Sequence, residues 1–287
     1  METPPDLPEQ VRRALDEDVG EGDLTAALIP ADQWTRAGIL CREKAVFCGA
    51  PWAEAVFRNV DPAIDCRWLA AEGETVAADR RICELAGPAR ALLTAERTAL
   101  NFLQTLSGTA TRTREYVDAV AGTGAAILDT RKTLPGLRTA QKYAVRCGGG
   151  SNQRTGLYDG ILIKENHIAA AGSIRAAVEA ARELRSGVPV QVEVETLAEL
   201  HEALEAGAEL LLLDNMGPET LRVAVTENAG RAVLEASGGL TRQSLRAVAE
   251  TGVDRISIGA LTKHLKAVDL SLRFTPDDEP EADSRGA

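Results

Sequence analysis

The sequence predicts an α/β protein in two parts, a small α+β unit followed by a larger barrel of parallel strands. After about residue 115, short apolar runs recur at roughly 20–30 residue intervals with helical patterns between them. Such alternation is typical of a parallel sheet built from βα units. Before that point, short β-like runs separated by turn signals follow one helical segment, which indicates a mixed unit. The change of pattern places the domain boundary near residue 115.

The first predicted domain covers residues 1–115 and begins with a helical pattern over residues 8–18. Gly20-Glu21-Gly22-Asp23 ends that helix, because glycines there break the helical pattern. The turn signals Asp61-Pro62 and Glu72-Gly73-Glu74 lie between β-like runs. These runs are residues 37–40, 45–48, 64–69, 75–77 and 82–86. Together they predict a small sheet packed with helix.

A long helix is predicted from about residue 91 to residue 120, leading from the first domain into the second. Apolar residues such as Leu100 and Leu103 recur there at helical spacing. Ser107-Gly108 is a candidate kink, because Gly/Ser pairs weaken the helical backbone.

The second predicted domain, residues 116–274, contains a series of short apolar runs. They are residues 125–128, 160–163, 190–194, 210–213, 232–234 and 255–258. The unbroken run at 210–213 suits a strand that is buried on both faces. Polar or glycine residues end or follow every run, namely Asp129-Thr130-Arg131-Lys132, Lys164-Glu165-Asn166-His167, Glu193 with Glu195, Asp214-Asn215, Glu235 with Ser237-Gly238-Gly239, and Gly259-Ala260. In a barrel of parallel strands these ends converge on one face, where ligands bind.

Positive charge is concentrated between Arg131 and Lys164, although the whole chain has a formal net charge of −11. The segment holds seven basic residues and one acid: Arg131, Lys132, Arg138, Lys142, Arg146, Arg154, Lys164 and Asp159. It also contains Cys147-Gly148-Gly149-Gly150, where the backbone can approach a ligand closely. This pattern predicts a site for an anionic, phosphorylated small molecule. For the bases at 138, 142 and 146, spaced i, i+4, i+8, a solvated helix face is the alternative.

Composition argues against several other classes of protein. A pI near 4.9 and 3% aromatic residues disfavour nucleic-acid binding. The first ten residues predict no signal peptide, and no apolar run approaches the ~20 residues of a membrane span. Five cysteines without a CxxC pair fit neither a disulfide framework nor a zinc site, and predict inert thiols in a reducing cytoplasm. Residues 275–287, rich in Asp, Glu and Pro, predict a disordered acidic tail.

Several residues at the predicted ligand face could carry chemistry. The turns Ser237-Gly238-Gly239 and Gly259-Ala260 could bind phosphate through backbone N–H groups. Glu193 and Asp214 could hold Mg²⁺ and a ribose, or could be structural partners of nearby bases. Lys164 has three interpretations: a Schiff-base nucleophile, a fixed cation for an anionic ligand, or a partner that neutralises an acid. The surrounding positive charge favours the fixed cation. A structural role is expected for the histidine at position 167, which has no second His or Cys at ligand spacing.

A set of sequence motifs extends from about residue 8 to residue 274. They are EDVGEGDLT (17–25), ERTALN (96–101), LSG (106–108), DTRKTLPGLR (129–138), KYAVRCGGG (142–150), KENH (164–167), EVE (193–195), LDNM (213–216), SGG (237–239) and GALT (259–262). Together they resemble the quinolinate phosphoribosyltransferase family. The resemblance implies a homodimer with an N-terminal α+β open sandwich domain and an incomplete parallel α/β barrel. It also implies Mg²⁺-dependent phosphoribosyl transfer from phosphoribosyl pyrophosphate to quinolinate with loss of CO₂, giving nicotinate mononucleotide and pyrophosphate in NAD biosynthesis.

The same resemblance implies a role for each matching residue. The residues expected to bind substrate are Arg97, Arg131, Gln153, Arg154, Lys164, Ser237, Gly238 and Gly259. Those expected to act in catalysis are Lys132, Lys164, Glu193 and Asp214, the last two also as metal ligands. Arg131, Arg154 and Lys164 would bind the carboxylates of quinolinate, and Arg97 would reach the site of the neighbouring subunit. Lys132 would contact phosphoribosyl pyrophosphate, and the glycine turns would bind its 5-phosphate. Positive charge developing on the ribose can be stabilised by carboxylates, so no nucleophile is needed.

One residue departs from the family pattern. The family usually reads Asn-His-Arg where this chain reads Asn152-Gln153-Arg154. A glutamine donates hydrogen bonds but cannot carry the charge of an imidazolium. We therefore expect retained activity with weaker or altered quinolinate binding.

Three other functions compete with this interpretation. A related phosphoribosyltransferase that acts on a different aromatic acid is favoured by Gln153 alone. A Schiff-base barrel lyase would use Lys164, and borohydride trapping with substrate would detect it. A non-catalytic protein that binds phosphoribosyl pyrophosphate would retain the fold without turnover, which the intact set of charged site residues disfavours.

Overall fold

The computed structural model of the chain describes residues 1–184 and 187–275. Its helices are Leu7–Val19 (α1), Ala50–Val60 (α2), Ala89–Ala119 (α3), Arg138–Cys147 (α4), Glu165–Ala171 (α5), Ile174–Glu183 (α6), Leu197–Glu205 (α7), Pro218–Asn228 (α8), Arg242–Ala249 (α9) and Ala260–Lys263 (α10). Its strands are Trp34–Cys41 (β1), Ala45–Val46 (β2), Asp65–Trp68 (β3), Thr75–Val76 (β4), Arg80–Pro88 (β5), Ala126–Leu128 (β6), Ile161–Ile163 (β7), Val190–Val194 (β8), Leu210–Asp214 (β9), Val233–Ser237 (β10), Arg255–Ser257 (β11) and Leu270–Thr275 (β12). The predicted acidic tail lies outside the described residues, except for the residue that ends β12.

The chain divides into two compact units. The first contains residues 1–111 and the described residues from 265 onward. Within it, β12, β1, β5 and β3 form an antiparallel sheet in that order, and β2 pairs with β4. Trp52 and Phe57 of α2 are fully buried, as are Ile39 and Ile82 of the sheet. Helix on sheet around one apolar core is the α+β arrangement that the first domain was expected to have.

The last strand does not belong to the predicted barrel domain. Residues 116–274 were expected to form one domain, but β12 pairs with β1 and lies in the first unit. The chain that leads into β12 passes close to Gly108. A Cβ at position 108 would lie 2.2 Å from the carbonyl oxygen of Lys266, so a side chain there would collide with the backbone. α3 continues through Ser107 and Gly108, the candidate kink.

The second unit, residues 112–264, contains the parallel sheet. Among the described residues, six strands pair in the order β6-β11-β10-β9-β8-β7, and each coincides with one of the predicted apolar runs. β6 and β7 are the two edges, so the barrel is incomplete, as the family resemblance implies. A parallel bridge from Leu128 to Ser151 extends the β6 edge. Side chains such as Leu211, Leu213 and Ile256 form the layer between strands and outer helices.

β10 is longer at its carboxyl end than the sequence predicted. It runs to Ser237, so Glu235 lies inside the strand rather than after it. In the part of the chain that the structure describes, no helix combines the length and the apolar character that a membrane crossing requires.

Candidate active site

Two arginines, Arg131 and Arg154, lie at the carboxyl end of the parallel sheet, near enough for their charges to interact. The pKa of Arg154 is lowered, first by burial and then by the neighbouring charge of Arg131. One Arg154 nitrogen, Nη1, donates to the carbonyl oxygen of Gly160 at 2.9 Å. The Nε of Arg131 is buried, and among the described residues it has no hydrogen-bond partner. Neighbouring cations with an unused donor are chemically suited to an anion.

A third arginine of the basic segment holds this pair in place. Arg138 donates through Nε to Thr133 Oγ1 at 3.1 Å and through Nη1 to the carbonyl oxygen of Thr155 at 3.1 Å. It thereby ties the loop after β6 to the loop before β7. The backbone N–H groups of Thr155 and Gly156 donate to the Asp159 carboxylate at 2.8 and 2.9 Å. Arg138 is therefore a structural cation rather than part of a solvated face.

Lys142 is also structural, contrary to both interpretations of its helix. Its Nζ lies 2.5 Å from Asp129 Oδ1, and both side chains are buried. The Asp129 carboxylate also accepts from Asn152 Nδ2 at 2.5 Å and from the backbone N–H of Gln153 at 3.0 Å. Burial raises the pKa of the Asp129 carboxyl, and the Lys142 ammonium opposes that shift. Lys142 is therefore neutralised by a buried partner and does not face a ligand, whereas Arg146 at the end of α4 is exposed.

The glycine run has a packing role. A Cβ on Gly150 would lie 2.8 Å from Thr113 Cγ2 and 2.9 Å from Val145 Cγ1. The carbonyl oxygen of Gly148 accepts from Arg114 Nε at 2.9 Å. The glycine run was predicted to let the backbone approach a ligand, but within the second unit it packs closely against residues of α3 and α4 instead.

A lysine and two acids form a second cluster at the ends of β7, β8 and β9. Lys164 Nζ lies 2.5 Å from Glu193 Oε2. The pKa of Asp214 is raised, first by burial and then by the charge of Glu193, while Lys164 and Lys132 act in the opposite direction. The structure therefore brings these four charged residues into one electrostatic group. Asn215 Nδ2 donates to Asp214 Oδ2 at 2.8 Å.

The predicted glycine turns lie beside this cluster. Gly238 has φ +94°, and a Cβ there would lie 2.1 Å from Asn215 Oδ1. A Cβ on Gly259 would lie 3.0 Å from Lys132 Cδ. The backbone N–H of Asn215 donates to the carbonyl oxygen of Ser237 at 3.0 Å. Gly238 therefore needs to be glycine, because its φ is positive and Asn215 occupies the space of a side chain, whereas at Gly259 the nearest atom belongs to the flexible side chain of Lys132.

A buried carboxylate that the sequence analysis placed only at a strand end lies among these residues. Glu235 is 1% exposed, and its two oxygens accept from Gln153 Nε2 at 2.7 Å and Gln191 Nε2 at 3.0 Å. The sequence did contain a sign that this acid is buried, because Glu235 stands between Leu234 and Ala236 in a largely apolar run.

Two further predicted residues have definite places. Arg97 belongs to the first unit, where it is exposed on α3. His167 Nδ1 accepts the backbone N–H of Lys164 at 3.0 Å and so caps α5. All five cysteines are free thiols, and burial raises the pKa of Cys66 to about 12.

Comparisons with known proteins cover nearly the whole chain. The sequence models of the quinolinate phosphoribosyl transferase N-terminal and C-terminal domains match residues 23–107 and 109–273. A probable nicotinate-nucleotide pyrophosphorylase [carboxylating] of Bacillus subtilis (strain 168) is 44% identical, over 92% of this chain and 91% of its own. The nicotinate-nucleotide pyrophosphorylase [carboxylating] of Mycobacterium leprae (strain TN) is 44% identical, over 91% and 95%.

Solved structures agree with the sequence comparisons. The nicotinate-nucleotide pyrophosphorylase from Francisella tularensis superposes with a TM-score of 0.93 at 48% identity, covering 96% of this chain and 98% of that one. The NadC structure from Streptococcus pyogenes superposes with a TM-score of 0.92 at 36% identity, covering 96% and 99%. The family resemblance drawn from the motifs is confirmed: this chain belongs to the quinolinate phosphoribosyltransferase family.

Proposed function

We propose that this protein transfers the phosphoribosyl group of phosphoribosyl pyrophosphate to quinolinate, releasing pyrophosphate and CO₂ and forming nicotinate mononucleotide. The observation that carries the proposal is that Arg131, whose buried Nε has no hydrogen-bond partner among the described residues, lies in the same barrel as the ion pair of Lys164 with Glu193. Quinolinate is a dicarboxylate and phosphoribosyl pyrophosphate a polyanion. Adjacent cations for one substrate and a mixed-charge cluster for the other fit this pair of ligands.

The carboxylates of quinolinate would be bound by Arg131, Arg154 and Lys164. The buried Nε of Arg131 has a donor to offer, and Arg154 keeps nitrogens beyond the one bonded to Gly160. Lys164 is partly exposed and can face a ligand while it remains near Glu193. Arginine suits this task because its planar fork matches a carboxylate in two parallel hydrogen bonds.

Phosphoribosyl pyrophosphate would be bound at the neighbouring edge. Lys132 is exposed and lies against Gly259, so its ammonium is available to a phosphate. The turns at Ser237-Gly238 and Gly259 would contribute backbone N–H groups to the 5-phosphate. The absence of Cβ atoms there allows an anion to approach the backbone closely.

The charged groups suit both halves of the reaction. The C–O bond to pyrophosphate breaks, and a C–N bond forms between ribose C1 and the pyridine nitrogen. Positive charge on the ribose during that exchange would be stabilised by Glu193 and Asp214. Decarboxylation then breaks a C–C bond, and its electron pair stays on the pyridine ring until a proton from solvent arrives. Arg131, Arg154 and Lys164 would offset that negative charge.

Glu193 and Asp214 are also the residues that would hold Mg²⁺. They sit on neighbouring strands, and the pKa of Asp214 is raised, first by burial and then by the charge of Glu193. Carboxylate oxygens on adjacent strands are ligands that Mg²⁺ accepts alongside substrate phosphates. When bound, the metal would neutralise part of the charge on the pyrophosphate.

Assembly and location follow from the same proposal. The protein would act as a homodimer in which Arg97, exposed in the first unit, supplies a cation to the site of the other subunit. It would work in the cytoplasm, where its five free thiols stay reduced.

The test is quinolinate consumption with phosphoribosyl pyrophosphate and Mg²⁺, followed as nicotinate mononucleotide formation, with nicotinate in a parallel assay. Turnover of quinolinate alone supports the proposal. Turnover of another aromatic acid instead would replace it with the related phosphoribosyltransferase that Gln153 favours. A covalent adduct trapped by borohydride would indicate the lyase that uses Lys164, the residue ion-paired with Glu193.

A further inference from the structure

A line of side-chain hydrogen bonds links the segment after β6 to β10 and β8. β6 and β7 are the unpaired edges of the sheet, and residues 151–154 follow the bridge that extends the β6 edge. From this segment Gln153 reaches Glu235 on β10, with its amide nitrogen 2.7 Å from Oε1. Gln191 on β8 reaches the other oxygen at 3.0 Å. One buried carboxylate thus joins three parts of the barrel.

Glu235 lies one residue layer beneath the candidate active site. Side chains alternate between the two faces of a strand, so Glu235 shares a face with Ser237, and Gln191 shares a face with Glu193. The neighbours Leu234 and Ala236 belong instead to the outer apolar layer. Glu235 therefore supports the site from below.

Gln153 is held from both its backbone and its side chain. Its N–H donates to Asp129 at 3.0 Å, and its carbonyl oxygen accepts from Lys142 Nζ at 2.7 Å. The hydrogen bond to Glu235 fixes the orientation of the Gln153 side chain, because a carboxylate only accepts hydrogen bonds and the amide nitrogen must therefore face it. The next residue in the chain is Arg154, one of the two arginines at the carboxyl end of the parallel sheet.

We infer that Glu235 is a positioning residue for the acid substrate: through Gln153 it fixes the segment that presents Arg154. The inference rests on the proposed function and adds to it a residue that touches neither substrate. Its effect is expected on the affinity for the dicarboxylate, because the described hydrogen bonds of Glu235 go to Gln153 and Gln191, and none goes to Lys132 or to the glycine turn that follows the same strand.

The experiment is a double-mutant cycle of Glu235→Gln and Gln153→Ala, with kcat and both KM values measured for each variant. In Glu235→Gln one acceptor oxygen is replaced by a donor, so the amides at 153 and 191 compete for the oxygen that remains. We expect KM for quinolinate to rise about tenfold in each single variant, the scale of one charge-assisted hydrogen bond. KM for phosphoribosyl pyrophosphate should stay within about twofold, and the double variant should be no worse than the poorer single one.

Glu209→Gln is the matched control, since Glu209 is an exposed acid at the opposite end of β9, and all three constants should stay unchanged. If Glu235→Gln does not fold, Gln191→Met replaces it, because it loosens Glu235 without removing the buried charge. Its rise in KM should then disappear in the Gln153→Ala background. Effects that multiply in the double variant, or that raise both KM values equally, would overturn the inference. Failure of the proposed function is seen separately, as no quinolinate turnover by the unmodified protein.

Discussion

Two lysine–carboxylate pairs in the second unit have the same separation of 2.5 Å but very different surroundings. Lys142 and Asp129 are 5% and 0% exposed in their side chains, whereas Lys164 and Glu193 are 45% and 14% exposed. The buried pair has every neighbour it needs, since Asn152 and Gln153 complete the bonds of Asp129. In the other pair only the lysine is substantially exposed, and a second acid, Asp214, has its pKa raised by burial and then by the charge of Glu193.

This difference separates a bond that maintains the fold from one that can be shared with a ligand. A buried ion pair is costly to break, because the remaining charge has no solvent. A half-exposed pair is weaker on its own, and either partner can turn to a substrate without leaving an isolated charge. Two lysines of one basic segment therefore have opposite expected phenotypes, and substitutions can test each.

The largest effect is expected for Lys142→Met. The substitution leaves Asp129 as a buried, uncompensated carboxylate, so the free energy of unfolding should fall by about 3–5 kcal/mol. Urea unfolding followed by circular dichroism measures this change. Lys266→Met is the control, because Lys266 is 82% exposed and pairs with Glu43 at 3.4 Å. Equal stability of the two variants would show that the buried pair is not structural.

The same change at the other lysine should spare stability and remove activity. Lys164→Met should lower kcat/KM for the proposed reaction about 10²–10³-fold, the scale of losing one group that stabilises developing charge. Its free energy of unfolding should change by less than about 1 kcal/mol, because the Lys164 side chain is 45% exposed. Steady-state kinetics and urea unfolding on one preparation give both values. A stability loss as large as that of Lys142→Met would erase the distinction between the pairs.

A smaller effect is expected where charge is kept and geometry is changed. Arg154→Lys retains a cation but loses the planar fork, so KM for quinolinate should rise about tenfold, as for loss of one hydrogen bond to a charged group. Arg146→Lys is the matched control on α4, where the side chain is exposed, and its KM should match that of the unmodified protein. A KM unaffected by Arg154→Lys would remove Arg154 from the acid site.

The smallest effect is expected for Gln153→His. An imidazolium near Glu235 would add charge to the acid site, so KM for quinolinate should fall several-fold, because charge-assisted hydrogen bonds are about twice as strong as neutral ones. Initial rates at varied quinolinate concentration measure it. Unchanged KM and kcat would show that the departure from the family pattern has no effect on binding.

Sequence patterns were sufficient where local chemistry decides the structure. The six parallel strands were predicted because each is a short apolar run between helical patterns, and α3 because leucines recur at helical spacing. α2 was not predicted, although Pro51 lies at its start, because it is a short helix between the two β-like runs at 45–48 and 64–69. β12 was not predicted as a strand, and its pairing with β1 joins residues more than two hundred positions apart.

The candidate site shows the same limit. The number of charges in the sequence predicted the basic segment but did not distinguish its two lysines. Lys142 is buried in an ion pair with Asp129, whereas Lys164 is partly exposed beside Glu193. That distinction depends on which way each side chain points after folding. Glu235 was noted only as a strand end, because its importance arises from Gln153 and Gln191, which approach from distant parts of the chain.

The pairing of β12 with β1 also orders events during synthesis. The first unit cannot complete its sheet until the ribosome has made residues 270–275, whereas residues 112–264 are all available earlier. Until then one edge of β1 is an open template for other strands, which is a hazard for aggregation. The nascent chain therefore depends on β12 to cover that edge. A chain that ended near residue 264 would contain every residue of the proposed catalytic cluster but would lack the strand that completes the first sheet.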